Sequence, residues 1–471
     1  MLQRFGFLAL LVVLYFIGTA LHANPHTPVW TYQVLMGVVF LALVAAMYVR
    51  VLPALLALPV LAVSLAAVAG MHWQNIFSDV VSDGGMRLKT AILAAIMGAI
   101  LAQVVEKTGI AQTAIKKTAE LGGDRPIILA VLLTIVIALL FTTLGGLGAV
   151  IMVATIVIPI LLSLGMRPLY VGCLFLLAMS LGGAFNLTNW QLYKDTLGMS
   201  NAQIGAFAYP FAVLTLLATF FFLFVEGKRM GKARFKAVVT EPETTHTFVP
   251  WYALLTPVVP LVPVLAFALL PKIFRWHTAP YDFPITVALL LGIMYGAITT
   301  WRKGQSTVQL LTKSAFDGVA AVGPALVLMI GIGMVLIATM SPEVGLIINP
   351  LAAKIAPKSG SAAGITQYVL LFGLFAPLAL YRGPYNLWGM GAGIIGVLKP
   401  FMPAGAIMGA FMSVGMIQGV CDPTNTHNVW IANYTNTDVQ DILKRTLPYM
   451  WGLAFIGLLL SALLYYGGVI K

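Results

Sequence analysis

The chain has 471 residues; 60% are hydrophobic, only 9% are charged, and the mean hydropathy is +0.96. Soluble domains carry about 25% charged residues, so an ordinary soluble protein is excluded. The formal charge of +12 would suggest a nucleic-acid partner in a soluble chain, but most of the basic residues flank apolar runs, where loop topology and lipid headgroups account for them. No nucleic-acid partner is therefore expected. The two cysteines, Cys173 and Cys421, sit in or beside apolar runs and form neither a disulfide framework nor a metal-type spacing.

In chain order, the first run lies in MLQRFGFLALLVVLYFIGTALHANP. Arg4 and the apolar stretch resemble a signal peptide, but the residues around Leu21 and Ala23 are a poor cleavage site, so an uncleaved first helix is the better reading. Apolar runs follow at 32–49, 53–70, 88–105, 127–164, 169–190, 207–226, 251–271, 284–301, 319–340, 361–398, 401–425 and 448–469. Most match the roughly 20 residues that span a hydrocarbon core. The runs 127–164 and 361–398 are too long for one crossing. The first is broken by TTLGGLG at 142–148 and the second by YRGPYNLWGMG at 381–391. Both breaks predict re-entrant helical hairpins, because non-helical backbone at membrane depth survives only inside protein or against a wet cavity.

The richest basic loop, EGKRMGKARFK, carries Lys228, Arg229, Lys232, Arg234 and Lys236 and is placed in the cytoplasm. Counting outward with each hairpin returning to its own side, Arg4, Arg50, Lys107, Arg125, Arg167, Arg302 and Lys444 also fall inside. The expected protein is multi-pass in the cytoplasmic (inner) membrane, with its N-terminus inside and its C-terminus outside.

The same pattern occurs twice. Asp83-Gly84 precedes a span, a glycine-rich break follows, then the polar run FNLTNW at 185–190, and Pro210 opens the next span. In the second half Asp317-Gly318, the break at Gly383-Pro384, the polar run DPTNTHN and Pro448 repeat that order. Asp83 precedes Thr188 by 105 positions and Asp317 precedes Thr424 by 107; Gly148 precedes Asn189 by 41 and Pro384 precedes Asn425 by 41. The loop charges place the segments before the two hairpins on opposite sides, so the copies are inverted. The expected fold is an all-α polytopic membrane protein built from two inverted repeats, each with a re-entrant hairpin and a broken helix carrying a Thr-Asn motif. Its domains divide as an extra N-terminal helix at 1–29, a first repeat at 30–226, a cytoplasmic linker at 227–250 and a second repeat at 251–471. Inverted repeats with interrupted helices are the architecture of secondary transporters, whose sites lie where the repeats meet.

A helix that stops inside the membrane frees N–H groups that favour an anion and carbonyls that favour a cation. Asn186, Thr188 and Asn189 in the first run, and Thr424, Asn425 and Thr426 in the second, can satisfy those groups or present donors and acceptors to a ligand. Such residues also serve simply to join helices. Asp422 suits proton uptake or sodium ligation, unless it sits at a wet helix end. His427 suits titration near neutral pH or a packing role, and Asn428 stands beside it. Arg382, in the second break, offers a fork for a carboxylate, or reaches outward to the interface. Asn386, Thr142 and Thr143 are weaker candidates. No GxSxG, HExxH or Walker A motif and no His/Cys cluster is present, so neither an enzyme nor an ATP-driven pump is expected.

The two hairpins, each followed by a span with a polar Asn/Thr/Pro break, are similar to the ion transporter superfamily, particularly its gluconate permease and citrate–proton symporter branches. The stretch NVWIANYTNTDVQDILKRTLPYMWG at 428–452 resembles the end of gluconate permeases, and VEKTGIAQTAIKKTAELGGDRP resembles their segment before the hairpin. The resemblance implies secondary uptake of an organic anion, an elevator-like motion and a homodimer in the lipid bilayer. It also implies substrate contacts at Gly145, Gly146, Asn186, Thr188 and Asn189, and at Arg382, Gly383, Thr424 and Asn425. FNLTN and DPTNT stand where the sodium–dicarboxylate branch has a Ser-Asn-Thr signature. The expected function is a symporter for a carboxylate, with no cofactor, coupled to a proton or to sodium. A cation/proton antiporter of related fold, and the membrane subunit of a binding-protein-dependent transporter, are the alternatives.

Overall fold

The computed structural model describes residues 2–24, 26–49, 51–123, 125–229, 249–274, 281–301, 306–358 and 361–466. Among these the ordered elements are all helical. Eight helices are long and apolar enough to cross a bilayer, or nine if the pair Pro168–Gly183 and Leu187–Leu197, bent by 51°, is one span. Most of the proposed linker, with Lys232, Arg234 and Lys236, lies outside the described residues; Lys228 and Arg229 close the helix Asn201–Arg229.

Three helices, Leu2–Ala23, Val29–Tyr48 and Ala54–Val68, come first. From there the chain runs through a long helix, Trp73–Lys107, and a short amphipathic helix, Ile110–Gly122. A hairpin follows, Pro126–Phe141 and Gly146–Ser163, then the bent pair, then Asn201–Arg229. The second half repeats this order. Thr307–Met340 is its long helix and Pro342–Ile355 its short one. Its hairpin rises through Ala362–Leu374 and the 3-10 turn Ala376–Arg382 and returns through Gly391–Leu398. The broken helix is Ala404–Cys421 with Thr426–Tyr434, and Val439–Tyr465 ends the repeat. Local signals set several starts. Pro126 and Pro168 occupy first helical turns, where a missing N–H costs nothing. Ser341 and Ser361 accept from the N–H of Val344 and Gly364, capping the helices that follow them.

The two long helices show the symmetry of the repeats. A Cβ on Gly84 would lie 2.8 Å from the Met334 Cα, and a Cβ on Gly318 would lie 2.9 Å from the Ile100 backbone N. Gly318 is 234 positions after Gly84, and Met334 is 234 positions after Ile100. Each contact is therefore the other's copy, as in a two-fold interface. Residue numbers rise on one helix as they fall on its partner, so the helices run antiparallel and the copies are inverted.

Two expectations need correction. The Asp-Gly pairs do not precede the spans: Asp83 and Asp317 lie inside the long helices, at the glycine contacts where the helices cross. Hydropathy hid this, because the polar turns upstream of each pair resemble loop. Likewise Pro210 and Pro448 lie inside Asn201–Arg229 and Val439–Tyr465 rather than at their starts. Each ring removes one helical hydrogen bond, a loss that a membrane bundle tolerates when neighbours satisfy the freed carbonyl.

Candidate functional site

In the first repeat the helix Pro168–Gly183 stops, and Asn186 restarts it. Its Oδ1 accepts from the N–H of Thr188 (3.1 Å) and Asn189 (3.3 Å), which caps Leu187–Leu197. Its Nδ2 donates to the carbonyls of Phe141 (3.0 Å) and Leu144 (3.1 Å) at the tip of the first hairpin. The Leu187 N–H donates to the Thr142 carbonyl, so one asparagine fastens the break to the hairpin. Gly146, at φ +83°, turns the chain at that tip, a backbone region that glycine reaches without cost. Thr143 is buried and donates to the Pro257 carbonyl, which holds the same tip against the second half.

The second repeat uses a carboxylate in the matching place. Asp422 is fully buried. Its Oδ1 accepts from the Thr424 N–H (2.8 Å) and Oγ1 (2.6 Å), and its Oδ2 from the Arg382 backbone N–H (3.3 Å) at the tip of the second hairpin. Tyr381 and Arg382 are both left-handed, at φ 57° and 58°. That conformation is costly for two successive residues with side chains, and here it aims a backbone N–H at the carboxylate. Arg382 Nη1 donates to the Trp388 carbonyl (3.1 Å), and Trp388 Nε1 donates to Asn189 Oδ1 (3.2 Å), joining the second hairpin to the first break.

These parts surround a cavity of about 450 Å³. Its wall includes Gly145, Gly146, Asn186, Thr188 and Asn189 from the first repeat and Arg382, Asn425, Thr426 and His427 from the second. Gly383, Asn386, Asp422, Thr424 and Asn428 are not on the wall. Asp422 and Thr424 fasten the second break, and Asn386 Oδ1 accepts the Trp388 N–H inside the hairpin tip. Trp388 and Gln418 join the wall without having been expected there. Their signal was position: Trp388 lies inside the second break, and Gln418 one turn before Asp422 on a run whose other polar side chain is Ser413. Apolar and soft side chains, Met179, Met412, Met416, Phe141 and Phe411, also line the cavity. Among the described residues no group of three or more His, Cys, Asp or Glu is placed to hold a metal.

The fold is that of membrane transporters. The chain is similar to the YdaH transporter of Alcanivorax borkumensis, described as having an unusual topology, with a TM-score of 0.56 and 16% identity over 85% of this chain and 90% of that one. It is also similar to MtrF of Neisseria gonorrhoeae, described among a class of antimetabolite efflux pumps, with a TM-score of 0.53 and 16% identity over 86% of each chain. No family model and no curated protein matches the sequence. Both structural neighbours are transport proteins rather than enzymes, and neither is described as a gluconate permease or citrate symporter.

Proposed function

We propose that this protein is a secondary transporter that moves an organic anion across the membrane, driven by an ion gradient. One observation carries the reading: Arg382 stands on the wall of a cavity made where both hairpin tips and both helix breaks meet. A guanidinium there offers a forked donor to a carboxylate, and Thr188, Asn189 and Gln418 add neutral polar contacts. The methionine and phenylalanine side chains in the lining favour an anion with an apolar body over a polyhydroxy acid.

Purified protein in liposomes, offered labelled carboxylates that differ in apolar bulk, tests this. Gradient-driven movement of one carboxylate, lost in Arg382→Ala, is the expected result. Movement of none, under any gradient and in either direction, rejects the reading.

A further inference from the structure

The breaks are filled from within. At the first, Asn189 Nδ2 donates to the Gly183 carbonyl (3.2 Å) and Trp190 Nε1 to the Ala184 carbonyl (2.9 Å). Asn186 Nδ2 takes the Phe141 and Leu144 carbonyls of the adjoining hairpin tip. At the second, Asn425 Nδ2 donates to the Gln418 carbonyl (2.6 Å), and Asn428 Nδ2 to those of Val420 (3.2 Å) and Asp422 (2.9 Å). His427 Nε2 lies 3.3 Å from the Gly419 carbonyl. Asn186 apart, each of these side chains caps a carbonyl six to eight residues back, in place of a helical bond lost at the break. These carbonyls are the oxygens that a sodium ion at such a break would use. A sodium ion needs several oxygens to replace its water, and N–H groups aimed at the same oxygens oppose it. Asn428 Oδ1 is a buried oxygen there with no partner among the described residues, and one oxygen is too few.

His427 supplies a different cation site. With Nε2–H donating to Gly419, Nδ1 keeps its lone pair, and it has no partner among the described residues. The other ionisable groups on the cavity wall are Arg382 and Tyr193. The helices Gly146–Ser163, Pro168–Gly183 and Val439–Tyr465, which pack against Thr426–Tyr434, bring no acid or base to the wall. Asp422 is nearby but is taken up by Thr424 and Arg382. We infer that the ion co-transported with the anion is a proton carried by His427, and not sodium. This rests on the proposed anion transport. Proton and carboxylate then stabilise each other in one cavity, which is what couples their movement.

Two measurements test it. The first is equilibrium binding of radiolabelled sodium to the purified protein in nanodiscs, which needs no substrate. Binding no higher than to empty nanodiscs is expected, and saturable binding overturns the inference. The second follows a pH dye inside proteoliposomes as benzoate, succinate, citrate or gluconate is added, with sodium present or replaced by choline. Proton movement with one anion, indifferent to choline, is expected. His427→Gln should lose proton-driven accumulation while gradient-free exchange of the anion persists at a reduced rate. Accumulation that needs a sodium gradient, or that survives in His427→Gln, overturns the inference while leaving anion transport standing. Failure of every anion, even in exchange, rejects the transport reading itself, and sodium binding still decides whether the breaks hold that ion.

Discussion

The Arg382 backbone N–H donates to Oδ2 of Asp422, so a hairpin tip and a helix break are joined through one buried carboxylate. The other oxygen holds Thr424 through two bonds. Asp422→Asn replaces one acceptor with a donor that faces an N–H. Leaving buried donors unmatched costs about 1–3 kcal/mol. The expected outcome is a lower melting temperature in detergent, with a similar loss in Asp422→Ala. An unchanged melting temperature in both would show that the carboxylate does not hold this joint.

The crossing of the long helices predicts a matched pair of effects. Gly84→Val and Gly318→Val each force a side chain into the partner's backbone, which lies under 3 Å from a Cβ at either position. Overpacking of this kind typically costs about 1–3 kcal/mol. Because the contacts are copies, the two variants should lower the melting temperature by similar amounts. A large effect at one and none at the other would contradict the two-fold relation.

The same glycines show how far the sequence could be read. The offset between Asp83-Gly84 and Asp317-Gly318 was visible, and with the polar runs it revealed the duplication. The meaning of the pairs was not visible. A glycine at a helix crossing and a glycine before a helix look alike until the opposing backbone is known. The polar runs were legible as breaks, because Asn and Thr clusters are rare inside apolar spans. Their division of labour was not. Asp422 and Asn186 occupy matching places and solve the same problem with opposite hydrogen-bond polarity, one accepting an N–H and the other donating to carbonyls. Which solution a repeat uses depends on what the hairpin tip presents, and that is set by the left-handed turn at Tyr381 and Arg382.

Asn186 should govern the first hairpin as Asp422 governs the second. Asn186→Ala removes the donor to the Phe141 and Leu144 carbonyls and the cap on Leu187–Leu197. Loss of a cap alone costs about 1 kcal/mol. The hairpin tip should loosen before the whole protein unfolds. A cysteine at Gly145, which lines the cavity, reports this through thiol labelling. The native cysteines, Cys173 and Cys421, are buried and contribute little background. Labelling should be faster when Asn186→Ala is added, and an unchanged rate would show that the asparagine does not restrain the tip.

The last helices of the two repeats are tied by Glu226, which is 2% exposed. Its Oε1 accepts from Arg229 Nη1 (2.8 Å) and the Tyr449 hydroxyl (2.7 Å), and its Oε2 pairs with Arg445 Nη2 at 2.8 Å. Tyr449 and Arg445 belong to Val439–Tyr465, so the carboxylate bridges the repeats. The arginines are partly open to solvent and can find water when the acid is removed, which limits the loss. Tyr449 is half-buried and less open to water than the arginines, so its bond to the carboxylate is replaced less readily. Glu226→Gln keeps an acceptor for Tyr449 and removes the charge; Glu226→Ala removes both. Hydrogen bonds to a charged group contribute about 1.5–3 kcal/mol, so Glu226→Ala should fall near that range and Glu226→Gln below it. Tyr449→Phe combined with Glu226→Ala should cost less than the two single losses added together, because both remove the same bond. Thermal unfolding of the four proteins measures this, and strict additivity would show that Tyr449 and Glu226 are not coupled.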